Sequence, residues 1–466
     1  MSAFKVDPSA AEKITAGEAV AEWLAEAGVK VVFGVISIHN MPILDAIARQ
    51  GVIRFVPARG EAGAMNMADA YARVSNSLGV ALTSTGTAAG NAAGSQVEAL
   101  TACSPVLHIT TQIDRPYADR DRAAIHDVPR QPEMLRGVSK SVWRVWEAHA
   151  VPTMLAAAAA SALSAPRGPV SIEIPIDVQR AMLRRPSYWP KPCLSRVTPD
   201  VAAIDALAEL IKNARRPVFW FGGGAREASE EATALIERGA LAVTSTNGRA
   251  VVPEDHPWSL GAFNMTPEAQ ALYEQADLTI VVGSKLRGNE TRNNQMILGQ
   301  RLVQVDIDAS QGGRNYPVDL FVQGGAREVL AALLERLPER LDTDREFLSG
   351  ATIARARSEA ALLSTLGPYS HLADALRERV GKQALTFVRD VTIANSTFGN
   401  RYVTLAKPTL GVHALGGGIG QGIAMAIGAS MARPGRTIAL VGDGGAMLYL
   451  ANWPLRSKSR PKSSSF

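Results

Sequence analysis

The sequence predicts an α/β protein made of three doubly wound parallel-sheet domains, the third of them incomplete. Between residues 11 and 176, amphipathic helical stretches alternate with short β-branched runs. Further apolar runs end in glycine or aspartate at 218–224, 278–283 and 302–308. Strands that alternate with helices in this way favour parallel sheets covered by helices on both faces.

In the first predicted domain, the elements follow one another closely along the chain. Helices are predicted at 17–27, 41–49 and 61–73, and strands at 29–35, 52–57, 80–85 and 106–111. A proline-rich stretch at 183–199 then breaks this rhythm, which indicates a linker.

The third predicted domain begins near His371, after a charged, helix-rich stretch at 327–357. It has a predicted strand at 384–388, a glycine cluster at 416–422 and a last strand that opens at Thr437. We therefore expect three domains, at residues 1–185, 198–335 and 365–450.

The last predicted strand runs into Gly442-Asp443-Gly444. The two glycines allow a sharp turn, and Asp443 places a carboxylate at the carboxyl end of the strand, where open α/β sheets bind ligands. A divalent cation that bridges a diphosphate needs oxygen ligands of this kind. The pattern therefore predicts half of a metal–diphosphate site.

Composition and charge exclude several classes of protein. A 47% hydrophobic and 20% charged composition is typical of a soluble globular protein. The only two cysteines, Cys103 and Cys193, predict neither a disulfide framework nor a metal site, and favour a reducing cytoplasmic location. The sequence shows no secretory signal and no apolar run that would span a membrane.

The formal net charge of +5 has a local source, because +4 of it lies in residues 451–466. These four cations are Arg456, Lys458, Arg460 and Lys462. The rest of the chain is close to neutral and has no basic stripe, so we expect no nucleic-acid partner.

The serine-, proline- and lysine-rich segment at 451–466 has no apolar periodicity and is predicted to be disordered. One account is a native disordered tail. The other, which we favour because a metal site is interrupted in its middle, is a shifted reading frame that replaced a β-α-β continuation and left the chain truncated.

Glu61 is the first candidate for catalysis, because it follows a predicted strand and opens the helix at 61–73. A glutamate in the first turn of a helix is often there only because it interacts well with the helix dipole. Its neighbours, Gly60, Ala62, Gly63 and Ala64, are small and would let another surface approach the carboxylate closely.

The glycine cluster at 416–422 resembles a dinucleotide fingerprint but does not fit one. Counted from Gly416 the sixth residue is Gln421, from Gly417 the third is Ile419, and from Gly418 the sixth is Ile423. The glycines favour a tightly packed helix N-terminus beside a phosphate group, or close helix packing with no ligand.

Together these motifs resemble the thiamine-diphosphate-dependent 2-oxo-acid enzymes of the acetohydroxyacid (acetolactate) synthase and benzoylformate decarboxylase type. The resemblance extends over about residues 11–450. It rests on the order and spacing of motifs at 33–35 with His39, Asn40 and Pro42, 59–64, 70–73, 83–86 with Asn91, 168–175 with Asp177, 418–422 and 442–444.

The resemblance implies a pyrimidine-binding first domain, a central domain and a diphosphate-binding third domain. Glu61 matches the glutamate that hydrogen-bonds the aminopyrimidine ring and thereby promotes loss of the thiazolium C2 proton. Asp443 matches a ligand of the Mg²⁺ that holds the diphosphate, with Gly444 and Gly445 offering backbone N–H groups.

Other cofactor contacts are implied in the third domain. Ile419, beside Gly418, matches the apolar residue that lies under the cofactor and keeps its two rings bent. Thr392 lies where members of the family contact the diphosphate.

The resemblance also implies a substrate, a reaction and an assembly. His39 and Gln112 match residues that face the substrate, a 2-oxo acid such as pyruvate. The reaction is decarboxylation, followed either by release of an aldehyde or by carboligation to a second carbonyl compound. The two ends of one cofactor are held by different subunits in this family, so a homodimer or homotetramer is expected.

Three departures from the family pattern stand out. The Pro-Gly after the first strand is replaced by Ile36-Ser37, and the Gly-Pro-Gly turn by the stretch at 86–90. The family's second metal ligand, an asparagine about 25 to 30 residues beyond the aspartate, falls past Phe466.

Two further interpretations stay open at this point. The first is a non-catalytic member of the family that binds the cofactor weakly or not at all. The second is a nucleotide-binding oxidoreductase module built on the central domain. Some synthases of the family bind FAD in that domain, while other members keep it without a flavin, so an FAD site here is an alternative that we do not favour.

Overall fold

The computed structural model describes residues 12–450. The tail that the sequence predicts to be disordered and aberrant, 451–466, lies outside the described residues. No helix between residues 12 and 450 combines the length and the apolar character needed to cross a bilayer.

The first part of the chain alternates strands and helices as predicted. The strands are β1 (Lys13–Thr15), β2 (Val31–Gly34), β3 (Arg54–Pro57), β4 (Gly79–Leu82), β5 (Val106–Gln112), β6 (Ser141–Arg144), β7 (Val170–Pro175) and β8 (Met182–Arg184). The helices are α1 (Ala16–Glu26), α2 (Met41–Gln50), α3 (Glu61–Ser75), α4 (Thr87–Thr101), α5 (Gln131–Arg136), α6 (Val151–Leu163) and α7 (Ile176–Arg180).

The middle of the chain continues in the same way. Its helices are α8 (Val201–Asn213), α9 (Ser229–Glu237), α10 (Pro267–Gln275), α11 (Ala326–Arg336) and α12 (Arg345–Leu366). Its strands are β9 (Pro217–Phe221), β10 (Leu241–Thr244), β11 (Leu278–Val282), β12 (Leu302–Asp306) and β13 (Leu320–Gln323).

The last part of the described chain is shorter. It comprises α13 (Tyr369–Lys382), β14 (Thr386–Arg389), β15 (Gly411–His413), α14 (Gly422–Ala432), β16 (Thr437–Leu440) and α15 (Asp443–Leu448). A π-helical turn, Asn395–Gly399, follows β14.

The described chain forms two compact units. One extends to Ser195 and includes Ala414–Gly435 and the chain from Asp443 onward; the other comprises Arg196–His413 and Arg436–Gly442. We call them the first and the second unit. Their parallel sheets with flanking helices confirm the predicted α/β fold class.

The first unit is built on a six-stranded parallel sheet in the order β3-β2-β4-β5-β7-β6. The chain passes from β2 outward to β3 and returns to the other side of β2 with β4, so the direction of winding switches between β2 and β4. Its core contains residues that are almost wholly buried, such as Trp23, Val32 and Ile109.

The linker predicted at 183–199 is wrong in its first two residues. Leu183 and Arg184 belong to β8, which pairs with β1 in an antiparallel two-stranded sheet. Pairing with a strand at the other end of the domain is a long-range contact, and the proline content of the segment gives no signal of it.

Helix α14 packs on α3 within the first unit. A Cβ atom on Gly428 would lie only 2.0 Å from the backbone oxygen of Met67, so the two helices approach at van der Waals distance through a glycine. Gly428 lies in the helix that follows the glycine cluster at 416–422, so this close packing is compatible with both interpretations of the cluster.

The second unit contains a five-stranded sheet, β10-β9-β11-β12-β13, and a three-stranded sheet, β15-β14-β16, both parallel. A buried ion pair lies inside it. Arg249 donates to both carboxylate oxygens of Glu254 at 2.7 Å and to the carbonyl of Gly399 at 3.0 Å. The π-helical turn is thereby fixed at its end.

Candidate active site

The carboxyl ends of the parallel strands of the first unit meet at one edge of its sheet. The candidate residues His39 and Glu61 follow β2 and β3 at this edge, and the candidate Gln112 is the last residue of β5. Because the winding switches between β2 and β4, this edge is where such a sheet forms a ligand-binding crevice.

Glu61 is the first residue of α3, and Gly60 caps the helix without a side-chain hydrogen bond. The Asn91 Nδ2 atom, on α4, donates a hydrogen bond of 3.1 Å to Glu61 Oε2. A Cβ atom on Gly60, the preceding residue, would meet no atom within 4 Å, and the Asn91–Glu61 hydrogen bond is itself exposed. The carboxylate is thus oriented by an amide and by the helix N-terminus while it remains accessible.

Gln112 closes β5 and is completely buried. Its Oε1 atom accepts hydrogen bonds from Thr85 Oγ1 at 2.9 Å and from the backbone N–H of Ile113 at 2.8 Å. Its Nε2 atom is buried and has no hydrogen-bond partner. A buried donor without a partner is costly, which makes it a candidate for contact with a bound molecule.

His39 lies in the segment after β2 and is only 6% exposed. Its ring packs edge-on against that of His126, with 5.2 Å between the centroids. Burial lowers the pKa of His39, and the neighbouring His126 lowers it further. The imidazole is therefore neutral near pH 7, and its buried Nδ1 atom has no hydrogen-bond partner.

The turn after β4, where the sequence departs from the family's Gly-Pro-Gly, begins at Gly86. This residue has φ of 62°, and a Cβ atom on it would lie 2.5 Å from the carbonyl oxygen of His126. Glycine is therefore required here by both backbone conformation and space. The Gly90 N–H donates to the Gly86 carbonyl at 3.0 Å, so the stretch at 86–90 forms the first turn of α4.

The glycine cluster lies in the first unit and leads into α14. Ile419, at its centre, is 55% exposed, which is unusual for a large aliphatic residue. The Gln421 side chain covers Gly418, where a Cβ would lie 2.2 Å from Gln421 Nε2. The Gln421 Oε1 atom is buried without a hydrogen-bond partner.

Asp443 is exposed and is the first residue of the short helix α15. Gly444 has open space where a side chain would be, whereas Gly445 is buried. Gly420 packs against α15, since a Cβ on it would lie 3.0 Å from Leu448 Cβ. The segment that carries Ile419 and the helix that carries Asp443 are therefore in direct contact.

Thr392 belongs to the second unit. Its Oγ1 atom accepts a hydrogen bond of 2.9 Å from the backbone N–H of Asn395, and its methyl group lies 3.0 Å from the position of a Cβ on Gly442. The hydroxyl oxygen thus accepts the N–H of the first residue of the π-helical turn, and the hydroxyl keeps its own hydrogen to donate.

A buried ionic cluster in the first unit was not recognised from the sequence. Arg73 donates to Asp69 Oδ2 at 2.6 Å and to Glu98 Oε1 at 2.7 Å, and these three side chains are at most 2% exposed. Burial raises the pKa of Asp69, and the Arg73 guanidinium beside it opposes that rise. The one signal in the sequence is the i,i+4 pair of opposite charges, Asp69 and Arg73, on a helix otherwise rich in small residues.

Comparison with known families covers most of the chain. Three profiles match: the N-terminal TPP-binding domain of thiamine pyrophosphate enzymes at residues 14–134, their central domain at 204–333, and their C-terminal TPP-binding domain at 393–453. The first of these includes Glu61 and Asn91, and the last includes Ile419 and Asp443.

Several curated proteins are similar along nearly the whole chain. A "Probable 2-ketoarginine decarboxylase" of Pseudomonas aeruginosa is 32% identical, with 94% of this chain and 78% of the relative covered. The acetolactate synthase large subunit of Corynebacterium glutamicum is 28% identical, with 94% and 72% covered. A "Probable acetolactate synthase large subunit" of Methanocaldococcus jannaschii is 27% identical, with 92% and 76% covered. The chain therefore belongs to the thiamine pyrophosphate enzymes, as a member of their acetolactate synthase type.

Proposed function

We propose that this chain uses thiamine diphosphate to decarboxylate a 2-oxo acid and to release an aldehyde or join the remaining fragment to a second carbonyl compound. The names of its relatives include both a decarboxylase and acetolactate synthases, which supports either outcome. The observation that carries the proposal is the Glu61 carboxylate, which opens α3 and is held by Asn91 in an exposed hydrogen bond.

The residues present fit this cofactor in chemical type. A carboxylate suits a protonated ring nitrogen of the aminopyrimidine, and the exposed Ile419 suits contact with an apolar ring face. When bound, the cofactor supplies a carbon nucleophile that attacks the carbonyl of the 2-oxo acid. The contribution of Glu61 is to hold a proton at that ring nitrogen.

We assign the diphosphate end to Asp443, Gly444, Gly445, Gly418 and Thr392. Mg²⁺ is commonly bound by one or two carboxylates together with phosphate oxygens. Asp443, exposed and followed by a glycine with open space, fits that use. The Thr392 hydroxyl has a hydrogen to donate to a phosphate oxygen.

For the substrate, we assign His39 and Gln112 to orient the 2-oxo acid. Each carries a buried nitrogen without a hydrogen-bond partner. A neutral imidazole and an amide are able to bind a carbonyl or carboxylate without adding charge to the site.

For the central part of the chain, we assign no flavin. Its glycine turn at 222–224 packs against the turn after β11, and a Cβ on Gly222 would lie 2.2 Å from the carbonyl oxygen of Gly283. A Cβ on Gly223 would likewise lie 2.3 Å from Asn247 Nδ2. This packing explains the glycines without a dinucleotide, and a visible absorbance spectrum of the purified protein tests the assignment.

A second candidate is a member of the family that binds the cofactor weakly or not at all. Among residues 12–450, no group of three or more His, Cys, Asp or Glu side chains is arranged to hold a metal ion. In this alternative, the chain keeps the fold of the family but does not catalyse a reaction.

Release of CO₂ from pyruvate and a panel of other 2-oxo acids, with and without thiamine diphosphate and Mg²⁺, tests the proposal. We expect cofactor-dependent release, and analysis of the products then separates an aldehyde from a 2-hydroxy ketone. No release from any acid at saturating cofactor would favour the second candidate.

A further inference from the structure

The carboxylate of Glu98 links three parts of the first unit. It accepts a hydrogen bond from Arg73 Nη2 at 2.7 Å, one from the backbone N–H of Leu415 at 2.8 Å and one from that of Gly416 at 2.6 Å. The Glu98 side chain is 1% exposed. A buried carboxylate that receives three donors, one of them charged, is a strong and specific attachment point.

The segment that Glu98 holds is the beginning of the glycine cluster. Gly416 is fitted to the carboxylate so closely that a Cβ on it would lie 2.8 Å from Glu98 Oε2. The other end of the segment, Gly420, packs against Leu448 of α15. The segment at 416–420, which contains Gly418 and Ile419, is therefore fixed at both ends.

Helices α3 and α4 are cross-linked at two places. Asn91 bonds to Glu61 at the start of α3, and Glu98 bonds to Arg73 near its end. Glu61 and Arg73 are twelve residues apart, or about 18 Å along a helix. The same helix pair thus orients the Glu61 carboxylate and holds the glycine cluster.

We propose that Glu98 is a positioning residue, which holds the segment at 416–420 against α3 and α4 so that Gly418 and Ile419 are fixed in place before the cofactor binds. The role of Ile419 as a cofactor contact rests on the proposed function. The attachment itself depends only on the contacts of Glu98. The attachment orders this part of the site in advance, which lowers the entropy cost of binding the cofactor.

Hydrogen exchange in the absence of cofactor tests the attachment in the whole 466-residue chain. In Glu98→Gln, one amide oxygen replaces two carboxylate oxygens, so at least one buried backbone N–H loses its acceptor. We expect exchange in a peptide that covers 415–420 to become about tenfold faster or more, with exchange in β4 unchanged. Gly416→Ala, which leaves the Arg73–Glu98 pair in place, should have the same local effect.

Binding of thiamine diphosphate with Mg²⁺ then tests the positioning. We expect the dissociation constant of Glu98→Gln to rise about tenfold, and saturating cofactor to restore slow exchange at 415–420. Glu133→Gln, an exposed acid paired with Arg136, is the matched control and should change neither readout.

The outcomes separate the two proposals. Unchanged exchange at 415–420 in both variants, or exchange that rises equally in β4, would overturn the positioning role. If neither variant folds, the wild type decides, because fast exchange of the Leu415 and Gly416 amides would contradict the attachment. Slow exchange together with no cofactor binding in the wild type would count against the proposed function and leave the attachment supported.

Discussion

At the scale of single residues, Glu61 combines two properties that a proton-holding carboxylate needs. The amide of Asn91 and the N-terminus of α3 fix its orientation, and the exposure of the Asn91–Glu61 hydrogen bond leaves it reachable. Asn91 belongs to a motif recognised in the sequence, but its bond to Glu61 depends on how α4 packs beside α3. The presence of Glu61 and Asn91 was therefore predictable from the sequence, whereas the hydrogen bond between them was not.

Replacement of Glu61 by glutamine should separate binding from chemistry. Glu61→Gln retains the size and hydrogen bonding of the side chain, so we expect cofactor binding to persist. The amide is, however, a far weaker acceptor for a ring proton. Exchange of the cofactor's C2 proton, followed by NMR in deuterated water, should slow by about 10²- to 10⁴-fold. Glu26→Gln on the exposed end of α1 is the control, and an unchanged exchange rate in Glu61→Gln would make Glu61 a structural residue.

His108 in β5 should make stability depend on pH. Burial lowers its pKa to about 3, and its ring contacts Thr83 and Ser171 in the core. Between about pH 6.5 and 3 the unfolded chain binds a proton that the folded chain does not, so stability is lost as pH falls through this window. From pH 7 to pH 5 this histidine alone should cost about 2 kcal/mol.

Urea unfolding at pH 7 and pH 5 measures this loss for the wild type and for His108→Gln, which removes the titrating group. We expect the difference between the two pH values to shrink in the variant, and to persist in a variant of the exposed His149, His149→Gln. An equal loss in wild type and His108→Gln would show that other groups carry the pH dependence.

At the scale of elements, the packing of α14 on α3 determines where the glycine cluster lies. Gly428→Ala would place a Cβ 2.0 Å from a backbone oxygen of α3 and force the helices apart. We expect a loss of about 1–3 kcal/mol in the free energy of unfolding. Gly94→Ala, on an open face of α4, is the matched control and should stabilise the protein by about 0.5–1 kcal/mol, because alanine is the better helix former. Equal effects of the two changes would contradict this packing.

Most elements of the fold were predictable because their periodicity is local. The helix predicted at 61–73 is found as Glu61–Ser75, and the strand that opens at Thr437 is found as Thr437–Leu440. The pairing of β1 with β8 and the contacts of Glu98 join residues far apart in sequence, and no single-residue pattern encodes such partners. The i,i+4 spacing of Asp69 and Arg73 is compatible with an ion pair on the helix, but nothing in the sequence marks Glu98 as its third member.

At the scale of the whole molecule, we expect the enzyme to assemble from two or four copies of the chain. The resemblance to the family implies one cofactor shared between subunits, and the segment after β2 exposes the apolar side chains of Ile36, Ile38 and Met41. Light scattering on the purified protein should give the mass of a dimer or tetramer. A monomer at micromolar concentration that turns over a 2-oxo acid would contradict this expectation.

The most direct test of the account is calorimetric titration of the protein with thiamine diphosphate in the presence of Mg²⁺. The account predicts saturable binding of one cofactor per chain, and binding weakened by at least about tenfold in Asp443→Ala, which removes the proposed metal ligand. Absence of saturable binding, or unchanged affinity in Asp443→Ala, would contradict the claim that this chain holds the diphosphate end of the cofactor through Asp443.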